Sequence, residues 1–243
     1  MTSFKDISAE RRAALNTGTE ATNLTECLAV DFAALMAAIA PDLAARASEI
    51  DASAGISVRM RQAGEILRAA GDEVIARMAA HPSDTARGWA AFARVSGQDL
   101  DTTLTAARPF ADDPHFGVRE WVWMAARPAL AADLPAAITA LTPWTQDPSE
   151  RIRRFATEAT RPRGVWCAHI AALKDAPEQA LPLLDPLHAD PARYVQDSVA
   201  NWLNDAGKTR PEFTLATTAR WQAMSDSAAT AYIVKRARRS LKG

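Results

Sequence analysis

Three carboxylates in this chain share a spacing that could do chemistry. Glu120 follows Pro114 by six residues, Glu158 follows Pro148 by ten, and Asp205 follows Pro191 by fourteen. On helices turning about 100° per residue, offsets that differ by four place the acids at about 240°, 280° and 320°. That is one flank, clear of the apolar stripe centred near about 30° on the same helices. If the three helices are neighbours in space, about 10 Å apart, the acids can converge on one patch. Fixed carboxylates can stabilise developing positive charge and orient a water molecule. A plainer reading also fits the residues: solvated helix acids, paired with Arg154 or Arg161 at helical spacing. Residue spacing alone leaves both open.

The central acid lies in DPSERIRRFATEATRPRGVW, residues 147–166. Here Asp147 is the expected N-cap and Pro148 the first helical residue. Glu150 is placed to complete a capping box. Ile152, Phe155, Ala156 and Ala159 form the apolar stripe, and Arg153, Arg154, Glu158 and Arg161 lie off it. Pro162 ends the helix. Arg163 and Trp166 follow in the turn. Most tryptophans are core residues, and Trp89, Trp121 and Trp202 are expected to be. Trp166 sits among arginines in a turn, where surface stacking competes with packing as its explanation.

The elements that must hold these residues read as helices. Apolar periodicity predicts them over Thr25–Ala40, Ile56–Ala70, Glu73–Ala80, Leu134–Leu141 and Glu178–His188, and no convincing alternating strand occurs. The prolines also reveal a repeat. Pro82, Pro114, Pro148 and Pro191 are preceded by His81, Asp113, Asp147 and Asp190. Five residues after them stand Arg87, Arg119, Arg153 and Gln196, and the intervals between the prolines are 32, 34 and 43 residues. Helix pairs with a period near 40 are the mark of a HEAT-like solenoid. The expected fold class is all-α, a HEAT-like helical-repeat α-solenoid in one domain over 1–243. An N-terminal helical cap is expected to cover about 1–80 and the clearest repeats about 81–243, with helices starting near Asp113, Asp147 and Asp190.

The bulk composition narrows the function. With 243 residues, 48% of them hydrophobic, the chain can bury a large core. The net charge of −1 hides a basic end, KRARRSLKG from Lys235 onward. Cys27 and Cys167 form no metal pattern and are read as reduced thiols. His81, His115, His169 and His188 are dispersed, so no metal is expected. Phosphate-loop, dinucleotide and nucleophile-elbow motifs are missing from the sequence. The opening MTSFKDISAERR has no apolar core of a leader, and no run of about 18 apolar residues occurs. A chain of the cytoplasm is expected, without cofactor.

Four segments carry a family resemblance: VREWVWMAARP at 118–128, IRRFATEATRPRGVW at 152–166, YVQDSVANWLND at 194–205 and AYIVKRARRSLK at 231–242. In order and spacing the chain resembles the AlkC/AlkD-like superfamily of HEAT-like repeat DNA glycosylases, and most closely its AlkC branch. The resemblance spans roughly the C-terminal half. It implies that Glu120, Glu158 and Asp205 are lesion-facing carboxylates and that Trp166 is an aromatic beside the damaged nucleotide. Arg161 and Arg163 occupy the motif's basic positions. Departures are Ala159 for a usual glycine, Gly164-Val165 for a usual Leu-Pro, and Gln196 for a repeat arginine. The implied activity is monofunctional excision of cationic N-alkylated bases, such as 3-methyladenine, in base excision repair. The implied partner is double-stranded DNA containing alkylated bases, with no membrane and no metal, bound by a monomer in the bacterial cytosol or nucleoid. Arg153, Arg154, Arg161, Arg163 and the Lys235–Lys242 cluster, including Arg238, are expected to grip phosphates. A non-catalytic DNA-binding repeat protein and a protein-binding scaffold are the alternatives.

Overall fold

In a computed structural model, residues 6–241 are described, and among them there is no strand. The fold is all-α and of the helical-repeat type. Two compact units divide the chain, one up to Ala126 and one from Arg127.

The first unit opens with α1 (Ala9–Asn16), α2 (Leu24–Ala29) and α3 (Phe32–Ile39), followed by a 3₁₀ segment at Pro41–Glu49. Then come α4 (Ile56–Ala70), α5 (Asp72–Ala79), α6 (Asp84–Val95) and α7 (Leu100–Ala111). Helix α8 (Phe116–Ala132) runs across the division. The single helix expected over Thr25–Ala40 is in fact two. Val30 is extended, and the Asp31 side chain accepts the amides of Ala33 and Ala34. A local N-cap bond thus outcompetes the continuous apolar pattern. Trp89 is fully buried and meets Phe32 edge-on, with ring centroids 5.2 Å apart.

The second unit continues with α9 (Leu134–Leu141), α10 (Glu150–Glu158), α11 (Ala171–Asp175), α12 (Leu181–Leu184), α13 (Arg193–Gly207), α14 (Pro211–Met224) and α15 (Ala228–Ala237). The stretch expected to be one helix over Glu178–His188 is a relay of 3₁₀ and α turns, interrupted by Pro182 and Pro186. Ile152, Phe155 and Ala156 of α10 are buried, as are Val195, Val199 and Trp202 of α13.

The repeated Asp-Pro signal has a physical reason. The side chain of each aspartate accepts the amide two residues on: Asp113 from His115 at 2.7 Å, Asp147 from Ser149 at 2.8 Å and Asp190 from Ala192 at 2.8 Å. His81 makes the same turn with its Nδ1, accepting from Ser83 N at 3.0 Å. The helix then begins three residues after each aspartate, at Phe116, Glu150 and Arg193. Asp147 is therefore not the N-cap; Ser149 is, with Glu150 as the first helical residue. No capping box forms, because the third helical position holds Ile152.

The arginine five residues after the proline closes the turn. Arg119 Nη1 donates to the carbonyls of Asp113 at 2.6 Å and Pro114 at 2.8 Å. Arg153 Nη1 does so to Asp147 at 2.9 Å and Pro148 at 3.1 Å, and Arg87 Nη1 to His81 at 2.9 Å and Pro82 at 2.6 Å. Gln196 retains half of the device, donating to the Asp190 carbonyl at 2.8 Å. Arg87 also binds the Asp113 carboxylate at 2.9 Å, and Arg153 that of Asp190 at 2.6 Å. Each of these two arginines links the turn of its own repeat to the aspartate of the next. Arg153 is thus bonded into the scaffold. Replacing it with methionine leaves a buried Asp190 without its cation, and a loss of about 3 kcal/mol in urea unfolding is expected. Gln196→Ala, which removes one neutral bond, should cost about 1 kcal/mol.

Candidate functional site

Glu158 is the last residue of α10, not a mid-helix residue, and it is only 3% exposed. Its carboxylate is fully engaged. Oε1 accepts from Arg161 Nη1 at 2.8 Å, Oε2 accepts from Ser198 Oγ at 2.7 Å, and Arg154 Nη2 stands 3.5 Å away. Thr157 Oγ1 lies 2.8 Å from the same Ser198 hydroxyl. Burial alone would push the Glu158 carboxyl up. The charges of Arg154 and Arg161 and the Ser198 hydroxyl outweigh burial and hold it below the ordinary glutamate value.

Asp205, on α13, is buried to the same degree. Its Oδ2 accepts from Arg161 Nε at 2.9 Å and lies 2.7 Å from Nη2, and its Oδ1 accepts from Lys208 Nζ at 3.2 Å. One guanidinium therefore joins two acids from two helices. Burial acts to lower the Arg161 pKa, but Glu158 and Asp205 more than offset it. The helical flank inferred from sequence does bring Glu158 and Asp205 together. They are buried, however, rather than solvated at the surface, because an arginine shared between them neutralises part of their charge. Arg163 is held beside them through Nε to the Asp205 carbonyl at 3.2 Å.

The segment between α10 and α11 carries Arg161, Arg163 and Trp166, and it has almost no helical or sheet bonding of its own. Arg127 supplies what is missing. Its guanidinium donates to the carbonyls of Ala159 at 3.0 Å, Arg161 at 2.5 Å and Ala168 at 2.9 Å. Trp202 Nε1 donates to Thr160 O at 3.1 Å, and Ile170 N to Pro162 O at 3.1 Å. Burial lowers the pKa of Arg127, which serves as a main-chain donor more than as an ion-pair partner. Sequence reasoning assigned Arg127 no role. Its only signal was a position in VREWVWMAARP, one residue before a helix-interior proline. Gly164 fits here for a reason of space, since a Cβ would come within 2.3 Å of Cys167 Sγ.

Trp166 sits at the tip of this segment. It is 42% exposed, and with φ of 59° it is the one non-glycine residue at positive φ among the described residues. A left-handed backbone costs an L-residue about 1–2 kcal/mol.

The other expected site residues fall in different surroundings. Glu120, on α8 in the first unit, accepts from Trp123 Nε1 at 2.8 Å. Arg154 lies over the Tyr194 ring at 4.4 Å from its centroid. Lys235 is exposed, whereas Arg238 binds Thr218 Oγ1 at 2.8 Å. Lys242 lies outside the described residues. Among the described residues no group of three histidine, cysteine or acidic side chains is arranged to hold a metal ion.

The depressed Glu158 pKa fixes a pH dependence. Such a group stabilises the fold fully above the unfolded glutamate value of about 4.3, and the contribution is lost as pH falls through the folded pKa. Glu158→Gln should therefore flatten the loss of unfolding free energy that the parent shows in urea titrations below about pH 4.5.

No protein-family model matches the chain. A curated protein of Bacillus subtilis (strain 168), uncharacterized protein YhaZ, is 40% identical over 80 residues, which is 33% of this chain and 22% of that one. Among solved structures, the Pseudomonas fluorescens alkylpurine DNA glycosylase AlkC, bound to DNA containing an abasic site analogue, superposes with a TM-score of 0.66 at 26% identity. The match covers 86% of this chain and 61% of AlkC. AlkD2 from Streptococcus mutans matches with a TM-score of 0.64 at 18% identity, over 84% of this chain and 100% of that one. The smu.31 protein of Streptococcus mutans UA159 matches with a TM-score of 0.61 at 19% identity, over 75% and 92%. The chain thus spans less than two thirds of AlkC and under a quarter of YhaZ, while the two streptococcal likenesses show the fold. The likeness to AlkC, together with the shared fold of AlkD2 and smu.31, supports the resemblance to the AlkC/AlkD-like superfamily.

Proposed function

We propose that the chain is a DNA glycosylase that excises cationic N-alkylated bases, 3-methyladenine among them, from double-stranded DNA. The observation that carries this reading is the buried Glu158–Arg161–Asp205 cluster, with a strained, exposed Trp166 on the segment that also carries Arg161. The similarity to AlkC, an alkylpurine glycosylase captured on an abasic site analogue, agrees with it.

Chemistry follows from the charges. An N3- or N7-alkylated purine is a cation, so its bond to C1′ breaks readily and the bonding pair neutralises the departing base. Positive charge then develops on the sugar. A buried carboxylate acts on that charge more strongly than a solvated one, because the surrounding dielectric is low. The Glu158 oxygens are already bonded, so it serves as a fixed negative field and not as a nucleophile. Asp205 Oδ1 is held by half-exposed Lys208 at 3.2 Å. Asp205 is assigned to orient the attacking water, whose oxygen joins C1′ while its proton leaves to solvent. Trp166 offers an indole face to the cationic base or the sugar. Glu120 is the third carboxylate assigned to the reaction. Arg154, Arg163, Lys235 and Arg238 are assigned to flanking phosphates.

A second reading rests on the same saturation of hydrogen bonds. Acids fully paired with arginine, lysine and serine can be structural, which would leave a DNA-binding protein without excision. Release of free base from methylated DNA separates the two readings. Under the glycosylase reading, Glu158→Gln should slow base release by about 10²–10³-fold while binding of undamaged DNA holds or tightens. A folded variant that works at the parental rate moves the role to Asp205 or Glu120. A parental protein that binds DNA and releases nothing supports the second reading.

Charge neutralisation gives an independent check. Replacing both Arg163 and Lys235 with glutamine should weaken binding to damaged and undamaged DNA alike. The slope of log affinity against log salt should fall by about 2.

A further inference from the structure

The first unit contains a cavity of about 290 Å³ at the break between α2 and α3. Its walls are mainly apolar, formed by Leu28, Val30, Phe32 and Ile50. Arg59 of α4 also lines it. The Arg59 guanidinium is placed by a stacking contact, with Cζ 5.0 Å from the centroid of the Phe32 ring. Its Nε is shielded from solvent and has no hydrogen-bond partner. Asp31 borders the same cavity, and its carboxylate is engaged with main-chain amides. Its Oδ1 accepts the amides of Ala33 at 2.9 Å and Ala34 at 3.1 Å as the N-cap of α3.

A planar guanidinium matches a carboxylate in two-point geometry through its paired Nη groups. The apolar walls offer few further donors, which disfavours phosphate with its three or more acceptor oxygens. The volume lies at the small end of ligand sites, which run from about 300 to 1,000 Å³. From these features we propose that the cavity binds a small monocarboxylate with an apolar body, of the size of benzoate or a branched-chain acid. The carboxylate takes the two Nη groups of Arg59, the end of the guanidinium that is not shielded, and the apolar body fills the space against Leu28, Val30 and Ile50. This site is separate from the residues assigned to base excision, and the inference does not depend on that assignment.

Benzoate is the probe and benzamide its neutral isostere, each titrated into the full chain at low salt and followed by calorimetry. A ligand of this size with one charged anchor should bind with a dissociation constant of about 0.1–1 mM. Benzamide should bind at least about tenfold more weakly, the scale of one charge-assisted contact. Inorganic phosphate should not compete. Arg59→Met keeps most of the volume and breaks no hydrogen bond, so it should stay folded by circular dichroism and lose benzoate binding. Arg59→Lys should retain part of it. Equal affinity for benzoate and benzamide, displacement by phosphate, unchanged binding in folded Arg59→Met, or no heat of binding at 10-fold above the expected constant would each overturn the proposal.

Discussion

Guanidinium groups bonded to main-chain carbonyls hold this protein together at the places where helices cannot. Helix ends and turns leave carbonyls without partners, and inside a protein each one left unpaired is costly. Arg87, Arg119 and Arg153 close the Asp-Pro turns in this way. Arg127 does the same for the long segment after α10. An arginine carries five donors in a fixed plane, so one side chain can satisfy two or three carbonyls at set angles. A lysine could not replace it without leaving some of them unmet.

That device also organises the charged cluster. Arg127 fixes the carbonyls of Ala159 and Arg161, and so it sets where the Arg161 side chain starts. Arg161 then reaches both Glu158 and Asp205, on two different helices. The two acids sit in a nearly dry setting, sharing this cation and taking further donors, Ser198 for one and Lys208 for the other. Burying unpaired carboxylates would cost several kcal/mol each. The result is negative charge at fixed positions, with little reorganisation needed when positive charge appears nearby. Electrostatic preorganisation has that form.

Rigidity and strain sit side by side in the same segment. Its start and end are bonded to Arg127, Trp202 and Pro162, while its tip carries Trp166 in a left-handed conformation. A flexible loop would relax such a residue. The anchoring around it makes the unfavourable backbone persist, and the large aromatic surface stays turned outward instead of joining the core. Trp89, Trp121 and Trp202 show the opposite outcome, being enclosed by helices whose apolar stripes meet.

Composition and periodicity determined the all-α class, and the Asp-Pro repeat determined where helices begin, because an aspartate before a turn is a local device that needs no distant partner. The boundaries Ile56–Ala70 and Leu134–Leu141 were legible for the same reason, being bounded by glycine, proline or aspartate. The break at Val30–Asp31 was not, since an apolar pattern can hide a capping aspartate. Helical phase placed Glu158 and Asp205 on one flank, but whether they met solvent depended on packing. A rotation angle describes one helix, and burial depends on what the neighbouring helix places opposite. Only the tertiary structure showed that Arg161 joins the two acids, that Arg153 belongs to a turn and that Arg127 braces a loop 32 residues away at Ala159. Each of those arginines looks alike in sequence. What separates their roles is which carbonyl or carboxylate the fold leaves without a partner, and that is decided by contacts between residues far apart in the chain.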